Sequence, residues 1–228
     1  LETSRNVGQK LNEIENSRKE RIESIRNIAN ENHQNYLNDK QDYHKMIDIA
    51  KGVLNKETQS YTYALNFFNP FEDLKDYGSD ISFNVKENSI EIDFFVHSED
   101  VVPNTMKKAL RKGLDIKEDP IPKSRFNEIY QDYVCSCVLR VANELFCAIP
   151  DTIVIVTAVD ELLSTKTGHL ETSPILSVCV SRKTLDSLNI NNIDPSNSMS
   201  NFIHNMSFKK SKGFESVERV EPVLLESD

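Results

Sequence analysis

The chain has 228 residues, with 36 acids against 27 Lys and Arg and a formal charge of −9. That acidic excess argues against a protein that coats nucleic acid non-specifically, and 38 % hydrophobic content places the chain among folded rather than disordered sequences. No apolar run approaches the roughly 20 residues that span a bilayer, and no apolar signal-peptide core opens the chain. The expected setting is therefore the cytoplasm, with no membrane partner. The chain opens on Leu1 rather than Met, which leaves an upstream module open.

Residues 1–68 are nearly free of Gly and Pro and read as one long polar helix. From Ile22, alternating steps of three and four meet Ile25, Ala29, Asn32, Tyr36, Asp39, Tyr43, Met46, Ala50 and Val53. Only Asn32 and Asp39 are neither apolar nor aromatic, so the stripe is a heptad-like seam. Upstream, Val7, Leu11 and Ile14 reach Ile22 through Arg18 by two consecutive four-residue steps, a stutter that locally unwinds a supercoil. Downstream, Tyr61, Leu65 and Phe68 carry the stripe to Asn69-Pro70, where Pro stops a helix. With Tyr, Ala, Met, Asn and Asp in the seam, an irregular coiled coil is expected. The same stripe also suits packing on the chain's own domain or on a second helix.

The remainder reads as a mixed α/β domain of the α+β class over 69–213, in the order β-β-β-α-β-β-α, followed by an acidic, mobile tail over 214–228. Ile81, Phe83 and Val85, then Ile90, Ile92, Phe94 and Val96, alternate with polar residues about a turn at 86–89, which predicts a hairpin. A short strand is predicted at Leu114–Lys117, bounded by Pro120 and Pro122. Phe126 to Ile149 carries a broad helical stripe. Ile153-Val154-Ile155-Val156 is the apolar run of a strand buried on both faces. A loop centred on Gly168 leads to an adjacent strand, Ile175–Val180, with Ser177 and Ser181 on its more polar face. Asp194-Pro195 reads as an N-cap with Pro at the first helical position, opening a helix to about Asn205. Tyr61, Tyr63, Phe67, Phe68, Phe71 and Tyr77 cluster where the long helix meets the domain, either docking it or anchoring a partner.

Cys135, Cys137 and Cys147 fall on the predicted helix and Cys179 in a strand; Cys135 and Cys137 are turned about 200° apart and cannot clasp one metal. All four read as small apolar residues in a reducing compartment. Gly168-His169-Leu170-Glu171, His97 and His204 have no second His at ligand spacing, and Lys209-Lys210-Ser211-Lys212-Gly213 reads as a solvated turn. The phosphate-loop, dinucleotide and nucleophile-elbow motifs are missing from the sequence.

Charge is unevenly spread. Between Asp80 and Asp100 six acids face one Lys, and between Val101 and Arg125 seven bases face three acids. Carboxylates that hold a cation beside Lys and Arg that hold phosphates are the ingredients of metal-dependent phosphodiester chemistry. Asp93 in the second strand and Asp115-Ile116-Lys117 in the third, within a helix, three strands, helix and strand, resemble the core of the restriction-endonuclease-like nucleases over roughly residues 80 to 157. A competing register aligns Asp80 with Glu91-Ile92-Asp93. The first resemblance implies that Asp93 and Asp115 bind Mg²⁺, that Glu91 adds a ligand, that Lys117 positions or activates the attacking water, and that nucleic acid is the substrate. Apart from it, no cofactor is expected. The leading expectation is an interaction or structural module in which the long helix mediates self-association or partner docking of a small α/β domain.

Overall fold

The computed structural model describes residues 2–72, 80–85, 90–96, 101–109 and 116–221, with side chains from Lys10 onward. The chain has a long N-terminal helix followed by a compact mixed α+β domain, as the sequence predicts. It divides into two units, Leu1–Lys51 and Gly52–Asp228.

Helix α1 (Glu2–Leu54) fills the first unit and its last turn opens the second. The single helix expected over 1–68 is broken at 55–57. The Lys56 N–H donates to the Val53 carbonyl at 3.1 Å and the Glu57 N–H to the Gly52 carbonyl at 2.9 Å, the paired bonds of a Schellman ending. Lys56 holds the left-handed position of that ending at φ 60°, where Gly is usual. Its ammonium lies 3.2 Å from Asp151. Helix α2 (Thr58–Phe68) follows, and Asn69 closes it at φ 41° with its N–H on the Leu65 carbonyl, just before Pro70. Gly52 is required by this turn. A Cβ there would meet Ser60 Oγ at 2.0 Å and Ser60 Cβ at 2.7 Å.

A six-stranded mixed sheet has the order β1-β2-β5-β6-β7-β8, built from β1 (Ile81–Val85), β2 (Ile90–Phe95), β5 (Ile153–Leu163), β6 (Leu170–Ser181), β7 (Ile203–Lys209) and β8 (Gly213–Glu215). All neighbours are antiparallel except β2 and β5. A parallel pair needs a long crossover, and here it contains a small hairpin and helix α3 (Lys123–Ala148). Ile90, Ile92 and Phe94 of β2, Val154, Val156 and Ala158 of β5, and Leu176, Val178 and Val180 of β6 join Val134, Val138, Val141 and Leu145 of α3 in the main core. Tyr61 and Leu65 of α2 enter the same core. Burial, then the nearby Asp151 carboxylate, push the pKa of the buried Tyr61 hydroxyl up to about 12.

Arg182, the first residue of the short helix α4 (Arg182–Ser187), fastens the end of α3. Its Nη2 donates to the carbonyls of Phe146 and Ile149, each at 2.7 Å, and its Nε to that of Asp151 at 3.0 Å. Its guanidinium also lies 4.7 Å from the Phe146 ring centroid. The Phe146 carbonyl is among those that a helix ending leaves without intrahelical partners.

The order of elements differs from the expectation further along the chain as well, where β3 (Thr105–Ala109) and α4 are additions. The strand expected at Leu114–Lys117 is seen at β4 (Ile116–Pro120), and it pairs with β3 in a separate two-stranded sheet. Its residues are mostly charged and have no apolar face to bury in the main sheet. The helix expected from Asp194 to about Asn205 is only α5 (Pro195–Ser198) and a 3₁₀ turn at Met199–Asn201, after which β7 begins. The cap itself is present, with the Asn197 N–H donating to Asp194 Oδ1 at 2.9 Å. Finally, the domain runs on past Gly213 into β8 and a hydrogen-bonded segment to Glu221, and only 222–228 of the expected tail lie outside the described residues.

Gly52→Ala should destabilise the domain by about 1–3 kcal/mol through forced overpacking, and Ser60→Gly in the same chain should recover part of the loss in urea unfolding. Arg182→Met, which keeps the length and removes the charged donor, should cost about 2–3 kcal/mol in the same measurement.

Candidate functional site

Two surfaces carry features beyond packing. The first is α1 itself, where every residue from Lys10 to Met46 is exposed. The predicted stripe is among them: Ile14 is 66 % exposed, Ile25 64 %, Tyr36 61 % and Tyr43 64 %. Leu11, Ile22 and Met46 are exposed on the same stripe, with Ile28 and Leu37 beside it. Large apolar side chains at heptad spacing on a solvated helix are what a second helix covers.

The second surface is the sheet face turned away from α3. Strand periodicity places Glu91 and Asp93 there, opposite to Ile90, Ile92 and Phe94. Cross-strand register then aligns Asp93, Thr157, Ser177 and Asn205 in one row, and Glu91, Ile155, Cys179 and Ile203 in the next. The segment after β8 crosses this face as an extended strap. Val217 donates its N–H to the Pro174 carbonyl at 2.9 Å, and Asn205 Nδ2 donates to the Glu218 carbonyl at 2.9 Å. Val220 donates its N–H to Ser177 Oγ at 3.0 Å, and that hydroxyl lies 2.9 Å from Thr157 Oγ1. The Val220 side chain is buried on Ile155 and Cys179, with Ile153 beside them. Arg219 grips Asp93 with both terminal nitrogens, Nη1 on Oδ1 and Nη2 on Oδ2 at 3.0 Å. The Asp93 hydrogen bonds, with the charges of Asp93 and Glu91, raise the Arg219 pKa above its already high ordinary value.

The residues singled out for phosphodiester chemistry are distributed otherwise. Glu91 and Asp93 share the strap face, and Asp93 is engaged by Arg219. Lys117 belongs to the β3–β4 sheet, where its ammonium is 2.8 Å from Asp119. Lys108, directly across from Lys117, reaches the same Asp119 at 3.7 Å, and Lys107 pairs with Glu118 at 3.3 Å. Asp115 lies outside the described residues, as do His97 and Tyr77. Asp80 stands immediately before β1. Among the described residues no three His, Cys, Asp or Glu side chains converge as a metal site requires.

The junction aromatics divide by face. Tyr61 and Phe71 are buried, whereas Phe67 and Phe68 are exposed and Phe67 stacks on Tyr63 at 6.1 Å between centroids. The 209–213 run is the β7–β8 turn, with Lys210 paired to Glu128 at 2.6 Å. His204 lies in β7, not near a helix end, and its Nδ1 is 3.0 Å from the Phe202 carbonyl. Arg219, Val220 and Arg182 carried no local sequence signal, because what they bind is distant in the chain.

No helix among the described residues is long and apolar enough to cross a membrane. No family model, curated protein or solved structure matches the chain.

All four cysteines are free, and Cys147 is the exposed one. Burial pushes the Cys135 thiol up to about 12, with Asp132 contributing, and the Cys137 thiol up to about 11; burial raises Cys179 as well. A maleimide reacts with thiolate, so the native protein at neutral pH should take up one label, at Cys147, read by intact mass and peptide mapping. Unfolding in denaturant should raise the count to four.

Proposed function

We propose that this chain is an interaction module in which α1 associates with α1 of a second copy and so holds α/β domains together. The observation that supports it is the exposed stripe of Leu11, Ile14, Ile22, Ile25, Tyr36, Tyr43 and Met46. Helices in proteins draw most of their stability from a packed apolar face rather than from propensity. A second copy supplies a matching stripe at the same spacing. The polar seam residues Asn32 and Asp39 then weaken the pairing while restricting its register, as polar seam positions do. Free cysteines throughout suit the cytoplasm as its setting.

The Mg²⁺-dependent, nuclease-like alternative gains no specific observation. Asp93 is bound to Arg219, Lys117 belongs to another sheet, and Asp115 lies outside the described residues.

Sedimentation equilibrium of the full chain should give a mass above that of one copy. Ile22→Asp with Ile25→Asp should reduce it to one copy with the α/β domain still folded, and Asp39→Leu should tighten association by about tenfold, the effect of roughly 1.4 kcal/mol. A single-copy mass for the unmodified chain at high micromolar concentration would overturn the proposal.

A further inference from the structure

The strap of residues 216–221 occupies its sheet face much as a peptide occupies a receptor. It forms no strand ladder of its own. It is instead held by its own N–H groups, Val217 on the Pro174 carbonyl and Val220 on the Ser177 hydroxyl, by Asn205 on the Glu218 carbonyl, and by two side chains of different chemistry. The Arg219 guanidinium lies on Asp93 beside Glu91, and Val220 fills the apolar patch of Ile153, Ile155 and Cys179. Main-chain bonds that fix an extended segment, with pockets that select its side chains, are the recurring features of peptide recognition. The main core of the domain lies on the other side of the sheet and does not contain Val220.

We infer that the Glu91–Asp93–Ser177 face is a docking site for an extended segment of a partner protein in which a cationic residue is followed directly by an aliphatic one, and that the chain's own Arg219–Val220 strap covers the site when no partner is bound. The acids select the cation, Ile155 and Cys179 select the aliphatic side chain, and the Ser177 hydroxyl accepts the N–H of the aliphatic residue. Thr157, whose Oγ1 pairs with Ser177, positions that acceptor. This face is separate from α1, so the inference stands apart from the self-association reading.

The test uses the full chain and a fluorescein-labelled peptide of sequence Ser-Val-Glu-Arg-Val-Glu, that of residues 216–221. Arg219→Glu with Val220→Asp removes the intramolecular competitor, and fluorescence anisotropy should show this variant binding the peptide at least tenfold more tightly than the unmodified chain. Adding Glu91→Gln and Asp93→Asn should lose that gain, and a peptide with Glu in place of its Arg should not bind. Equal binding by the two chains, or binding indifferent to the neutralised carboxylates, would overturn the inference. So would loss of cooperative thermal unfolding in the strap variant, since the strap would then be an integral part of the fold. A lower oligomeric mass for the strap variant would assign the face to a second copy's strap and overturn the partner reading.

Discussion

Burial of β5 in the main core beneath α3 is the constraint on which the rest of the domain depends. Every residue from Val154 to Val159 is buried. On one face Val154, Val156 and Ala158 pack in the main core with α3; on the other, Ile155 is covered by the strap through Val220. A strand so placed has to be central, and it pairs with β2 from Val154 to Val159 and with β6 from Ile153 to Leu163. Because β2 lies parallel to it, the intervening chain has to return to the starting edge, and α3 does so while covering the sheet. Arg182 then ties the end of α3 to the start of β5 through the carbonyls of Phe146, Ile149 and Asp151.

The helical unit follows a different rule. Within α1 each backbone bond is local, but the stripe from Leu11 to Met46 is left in solvent. Nothing else in the first unit can cover it, since that unit is a single helix. The exposed stripe and the solvated opposite face are the observations on which the proposal of association rests. The α/β domain, with its own continuous core, has no such need.

Legibility in the sequence followed the range of the interactions. The antiparallel β1–β2 pair, whose predicted turn at 86–89 lies outside the described residues, the α3 stripe, the apolar run of β5 and the Asp194 cap are short-range patterns, and each is found where the residues imply it. The break at 55–57 was hidden because Lys56, not Gly, takes the left-handed position, so the usual mark of a helix ending is missing. The strand at Ile203–Lys209 was hidden because an N-cap with Pro shows where a helix starts and not where it stops. Asp93 was legible as a strand acid, but its partner Arg219 is 126 positions away and left no local signal. Ser177 stood out as a polar residue within an apolar strand, and its burial under the strap accounts for it.

The central claim is that the α1 stripe is buried against another copy. It is tested most directly by following the helical circular-dichroism signal through thermal unfolding of the full chain over a hundredfold range of protein concentration. Association linked to helix stability raises the midpoint with concentration, and the account predicts that the helical transition shifts upward in this way. A helical transition with the same midpoint at every concentration would contradict it.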